Sequence, residues 1–98
     1  MTNVNQLLMN VKTVLDEIKV KFNLNGELEI LESVQLDGSE IGEPKSFSVE
    51  EDKFYLVSSG NFDNEMYLVS IVSDIETGNA LGIIVIDDET GNEYDFKA

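Results

Sequence analysis

Carboxylates are the only groups in this sequence numerous enough to do chemistry. Twenty Asp and Glu stand against six basic residues, all lysine, for a formal net charge of −14. There is no Arg, His, Cys or Trp. Without Cys or His there is no thiolate or imidazole for a zinc site, a disulfide or histidine acid–base catalysis. Two crowded acidic stretches stand out: Glu40, Glu43, Glu50, Glu51 and Asp52, then Asp87, Asp88, Glu89, Glu93 and Asp95. Paired carboxylates can hydrolyse glycosides, but that needs a cleft, and a chain around one small core leaves little room for it. The run Asp87–Asn92 lacks the ligand spacing of a calcium loop and reads as a hairpin. The expectation is a protein without catalytic residue, metal or cofactor.

One carboxylate is out of place. In Glu27–Leu36 the even positions are Leu28, Ile30, Glu32, Val34 and Leu36. In a strand, residues i and i+2 share a face, so Glu32 falls in the apolar row, where burying it unpaired is costly. Either a bulge between Leu31 and Glu32 turns it outward, or the row leaves the core there. A binding edge and an idle exposed strand end are both open readings.

The elements that hold these groups follow from periodicity. Val4, Leu7, Leu8, Val11, Val14, Leu15, Ile18 and Phe22 keep helical spacing, predicting one amphipathic helix over 4–22. Asn3 or Asn5 can cap its start, Lys19 and Lys21 suit its C-terminal end, and Asn23–Leu24–Asn25–Gly26 ends it, Gly26 being able to take positive φ. From Gly26 the period changes to two, predicting strands at 27–36, 46–49, 53–58, 65–73, 80–87 and 93–96. Short Gly/Asn turns leave no room for crossover helices, so the later strands pair antiparallel. Residues 38–52 allow a short helix, an edge strand or a loop. The fold class is α+β: a single 1–98 domain, its N-terminal helix packed on an antiparallel sheet of about five strands. No repeat or linker is expected.

The charge defines the partner. A net −14 on a small body repels itself and exceeds what solubility requires. It argues against nucleic acid or an anionic membrane as a ligand and for a basic protein surface. Like charge also favours a monomer. With no signal peptide or membrane-spanning stretch evident, a cytoplasmic location is the default.

Several segments, in order, resemble the bacteriophage uracil-DNA glycosylase inhibitor family. They are Met1–Val4, Leu28–Val34 with its Glu32–Ser33–Val34 triplet, Tyr55–Val57, Tyr67–Ser70, and Ile83–Asp87 followed by Gly91–Glu93. The similarity spans roughly residues 26–96. The family continues from that triplet into a short acidic helix; here Leu36–Pro44, with two Gly and a Pro, is poor helix material. The resemblance implies a DNA mimic that occupies the DNA-binding cleft of a uracil-DNA glycosylase, in the host cytoplasm if phage-encoded. Glu32 would then stand for a phosphate, with Ser33 and Val34 on the docking edge. Leu36 is our own choice for the apolar pocket that receives the enzyme's inserted side chain. Glu40, Glu43, Glu50 and Glu51 are the further partner-binding candidates. An immunity or anti-CRISPR protein blocking a nuclease shares the same physics and is the alternative.

Overall fold

A computed structural model describes residues 4–98, without the side chains of Val4 and Asn5. The Asn3 or Asn5 cap, the Val4 side chain and the resemblance at Met1–Asn3 therefore lie outside the described residues. The elements are α1 (Val4–Asn10), α2 (Lys12–Phe22), β1 (Glu29–Asp37), α3 (Gly38–Ile41), β2 (Phe54–Asn61), β3 (Tyr67–Asp74), β4 (Ala80–Asp87) and β5 (Glu93–Lys97). The five strands form an antiparallel meander in chain order. The α+β class is thus as expected. No helix among the described residues is long and apolar enough to cross a membrane.

The predicted single helix is two. The helical path breaks at Val11 (φ −110°, ψ 14°), a β-branched residue that is itself buried in the core. The apolar stripe survives the break: Leu7, Val11, Leu15 and Ile18 are all buried. Within the expected Asn23–Gly26 stop, Asn23 ends α2 by taking the left-handed conformation (φ 54°, ψ 51°), and Gly26 also has positive φ (80°). The Leu24 N–H then donates to the Lys19 carbonyl at 2.8 Å, and Leu24 turns inward.

The helices cover one face of the sheet. Rows such as Ile30–Gly60–Val69–Val85–Tyr94 and Ser33–Ser58–Ile71–Ile83–Phe96 run across it. Val69, Ile71, Ile83 and Val85 are fully buried there. At one end, Phe22 stacks against Tyr67 and Tyr94 with ring centroids 5.1 Å apart in each pair.

The opposite face carries a second, smaller cluster of Phe47, Tyr55, Val57 and Val72. Phe47 belongs to residues 42–53, which cross that face as an irregular strap. The predicted strand at 46–49 does not form. The strap is instead fastened by single polar contacts. Asp95 accepts the N–H of Lys45 (3.0 Å) and of Ser46 (2.6 Å), and the Tyr55 hydroxyl accepts the N–H of Glu50 (2.8 Å). The Phe47 ring lies on Gly82, where an added Cβ would stand 2.0 Å from it.

A repeat is present after all. Asp-x-Glu-Thr-Gly-Asn occurs at 74–79 and 87–92 and builds the same turn twice. The N–H groups of Asp74 and Asp87 bond to the carbonyls of Asn79 and Asn92, each at 2.9 Å, with Gly78 and Gly91 at φ 76° and 77°. In each, the Asp carboxylate also accepts the N–H two residues on.

Candidate partner-binding edge

β1 is an edge strand, and most of its side chains are exposed. The pairing register jumps from Ile30–Gly60 to Glu32–Ser59, so Leu31 is the extra residue of a bulge. Of the two explanations for Glu32, the bulge is the one that holds. The consecutive apolar pair Ile30–Leu31 was its trace in the sequence. The kink brings β1 close to β2: a Cβ on Gly60 would lie 1.8 Å from the Glu29 carbonyl oxygen, so only glycine fits. Leu31 itself is thrown outward, 62 % exposed.

The strap-side face of β1 carries Glu32, Val34 and Leu36 in successive rows. Glu32 is exposed and Val34 is 39 % exposed. Leu36 is half-buried and packs against the cluster of Phe47, Tyr55, Val57 and Val72, so it is part of the chain's own packing and does not line an open pocket. Ser33 points to the other face, where its hydroxyl pairs with that of Ser58 at 2.9 Å. The triplet is therefore split: Glu32 and Val34 share a surface, and Ser33 serves the β1–β2 contact.

Beyond β1 the chain does form a helical turn, contrary to the poor helix propensity of Gly38–Pro44. Asp37 and Glu40 make a capping box: the Glu40 N–H donates to Asp37 Oδ1 at 3.0 Å, and the Asp37 N–H to Glu40 Oε1 at 3.3 Å. The Ser39 hydroxyl, at 2.6 Å, followed by the Glu40 N–H, holds the Asp37 carboxyl below its ordinary pKa. The D-x-x-E spacing could have revealed this turn, because local capping outweighs a weak propensity. Glu40 thus has a structural task.

Glu43 and Glu51 line a cleft of about 360 Å³ with Gly38, Gly42, Pro44 and Val49. The Glu50 backbone is fixed by Tyr55 and lies so close to Gly38 that a Cβ there would meet its carbonyl oxygen at 2.0 Å. The site candidates accordingly fall into two groups at opposite ends of β1: Glu32 with Val34 at the bulge, and Glu40, Glu43, Glu50 and Glu51 around α3 and the strap. Glu29, on the Glu32 face just before the bulge, is a further edge carboxylate that the triplet did not indicate.

No lysine lies on β1 or α3. Residues 1–25 hold Lys12, Lys19 and Lys21 against Asp16 and Glu17, a balance of +1, which leaves −15 for residues 26–98. The negative field therefore belongs to the sheet, its turns and the strap. In comparisons with known proteins, no family model, curated protein or solved structure matches this chain.

Proposed function

We propose that this protein is an acidic DNA mimic that inhibits a uracil-DNA glycosylase by occupying its basic DNA-binding cleft. The observation that carries the reading is the Leu31 bulge, which sets Glu32 out on an exposed, lysine-free edge strand beside Glu29. Carboxylates held on a strand present negative charge in a fixed arrangement, and a phosphate-binding cleft offers the complementary surface. The resemblance at Glu32–Ser33–Val34 narrows the partner to a glycosylase. Because Leu36 is already packed against the strap-face cluster, an inserted side chain of the enzyme would have to meet Val34 and the open sheet instead. The protein acts as a monomer, without metal or cofactor, and does not itself bind DNA.

The test is uracil excision from duplex DNA with the protein titrated in. Wild type should inhibit at micromolar concentrations or below. Glu32→Ala should weaken binding by about 2–5 kcal/mol if the carboxylate is desolvated against a cationic partner group. Its fold should remain intact, since Glu32 is exposed. Absence of inhibition by wild type refutes the glycosylase assignment and moves an immunity or anti-CRISPR role ahead of it. Equal inhibition by Glu32→Ala would remove β1 from the contact.

A further inference from the structure

The strap covers only part of its face. Beyond Phe47 the sheet continues as an open strip. One complete row there is Glu32–Ser59–Ser70–Ile84–Asp95. The next holds Glu29 paired with Asn61, and Leu68 paired with Ile86, which pairs in turn with Glu93. Met66, 41 % exposed, lies at the end of the strip, its carbonyl accepting the Asp88 N–H at 2.8 Å.

The layout of this strip is unusual for a sheet face turned to solvent, where outward positions are normally polar. The central strands present Leu68, Ile84 and Ile86, all partly exposed, Ile84 on the edge of the Phe47 cluster; the hydroxyl of Ser70, itself buried, pairs with that of Ser59 at 2.8 Å. The carboxylates stand on the outer strands: Glu29 and Glu32 on β1, Glu93 on β5. Asp95 is occupied by the strap and marks where the strip is closed.

We infer that this strip docks a short amphipathic basic helix of a partner protein, its apolar stripe on Leu68, Ile84 and Ile86 and its flanking lysines or arginines on the carboxylates of β1 and β5. Width selects the helix. Four strand spacings put β1 and β5 about 19 Å apart. A helix with its side chains is about 10–12 Å across, so basic residues on both flanks can reach both borders. An extended segment lying along the strands would leave one border unanswered. Apolar stripe and two-sided charge are thus read together, as in other helix-in-groove contacts. This inference shares with the proposed function the basic character of the partner and the β1 carboxylates Glu29 and Glu32; it does not require a glycosylase.

The probe is a short leucine–lysine peptide with a leucine stripe flanked by lysines on both sides, titrated into isotopically labelled protein. Amide shifts are expected at Ser59, Leu68, Ser70 and Ile86. Affinity should fall about tenfold or more in Leu68→Ser, and likewise in Glu29→Lys and Glu93→Lys, whose exposed sites tolerate exchange. Glu76→Lys, in the β3–β4 turn, should retain binding to within about twofold. A scrambled peptide of equal charge should bind at least tenfold more weakly. Equal binding of the scrambled peptide, shifts confined to the strap or to α2, or no binding at all would overturn the inference. So would concentration-dependent dimerisation through the strip, which would make a second copy its occupant. Glycosylase inhibition is read in a separate assay, so either proposal can fail while the other stands.

Discussion

The two faces of this sheet are covered by opposite means. On one, α1 and α2 lay a periodic apolar stripe over Val69, Ile71, Ile83 and Val85. On the other, a strap without regular structure holds down one aromatic ring, Phe47, and secures it with Asp95 and the Tyr55 hydroxyl. Repetition makes the first cover tolerant, because each helical turn adds another buried side chain. The second depends on a few contacts, and each can be removed singly. The difference also separates charge: the helical segment is nearly neutral, and the sheet, its turns and the strap carry the acid. The deeper core therefore lies on the helix face, and the contacts proposed above lie on the strap face.

The largest expected effect probes the helix side. Ile71 is fully buried at the centre of that cluster. Ile71→Ala should lower the global unfolding free energy by about 2–5 kcal/mol, measured by denaturant titration followed by circular dichroism. A loss well below that range would mean that the helix face is not the main core.

Gly82→Ala comes next and tests the strap. The new methyl would collide with the Phe47 ring. Overpacking of this kind costs about 1–3 kcal/mol, but here the strap can lift instead. The expected outcome is loss of hydrogen-exchange protection at the Glu50 amide, with the amides of Val69 and Ile71 still protected. Uniform loss across both faces would show that the covers unfold as one unit.

A smaller effect comes from acid. Burial pushes the Asp95 carboxyl upward, but hydrogen bonds from Lys45 and Ser46 outweigh it, leaving the pKa below its ordinary value. A carboxyl with a depressed folded pKa contributes stability above its unfolded pKa, near 3.9, and that contribution is lost as pH falls through the folded value. Protection of the Ser46 amide should therefore drop about tenfold as pH is lowered from 5 toward 3, an effect the size of one charge-assisted hydrogen bond. Asp95→Asn should be unprotected across the same range. Parallel pH curves for the two proteins would dissociate the strap from Asp95.

How much of this was legible in the sequence divides along the same line. The helix face was readable because Leu7, Val11, Leu15 and Ile18 keep one period, and the apolar run between two Thr-Gly-Asn turns located β4 with its observed limits, Ala80–Asp87. The break at Val11 was not readable, since the apolar pattern runs through it unchanged. The strap was misread as a strand at 46–49 because Ser46–Phe47–Ser48–Val49 alternates; alternation records which side chains turn inward, not whether the backbone finds a ladder partner. At the candidate site, Glu32 was visible as a carboxylate in an apolar row. The packing of Leu36 was not, because the cluster it joins gathers Phe47, Tyr55, Val57 and Val72 from separate segments of the chain.

The smallest expected effect concerns how the strap ends. Lys53 Nζ lies 2.7 Å from Asp74 Oδ2, joining the last strap residue to the first of the repeated turns. The hydrogen bond between them is the main influence on both groups, raising the pKa of Lys53 and lowering that of Asp74. The pair is therefore fully charged at neutral pH. Lys53→Met alone is an ambiguous test, because removing any lysine from a chain of net charge −14 adds self-repulsion. Lys97→Met supplies the reference: Lys97 is exposed on β5 and makes no ion pair among the described residues. Both variants should lose stability at low salt, and both losses should shrink as salt screens the field. What survives at high salt in Lys53→Met and not in Lys97→Met belongs to the pair itself. That residue should be positive but smaller than the loss in Gly82→Ala. If the two variants are indistinguishable at every salt concentration, the pair contributes nothing, and the strap is held by its other contacts, among them those of Phe47, Tyr55 and Asp95.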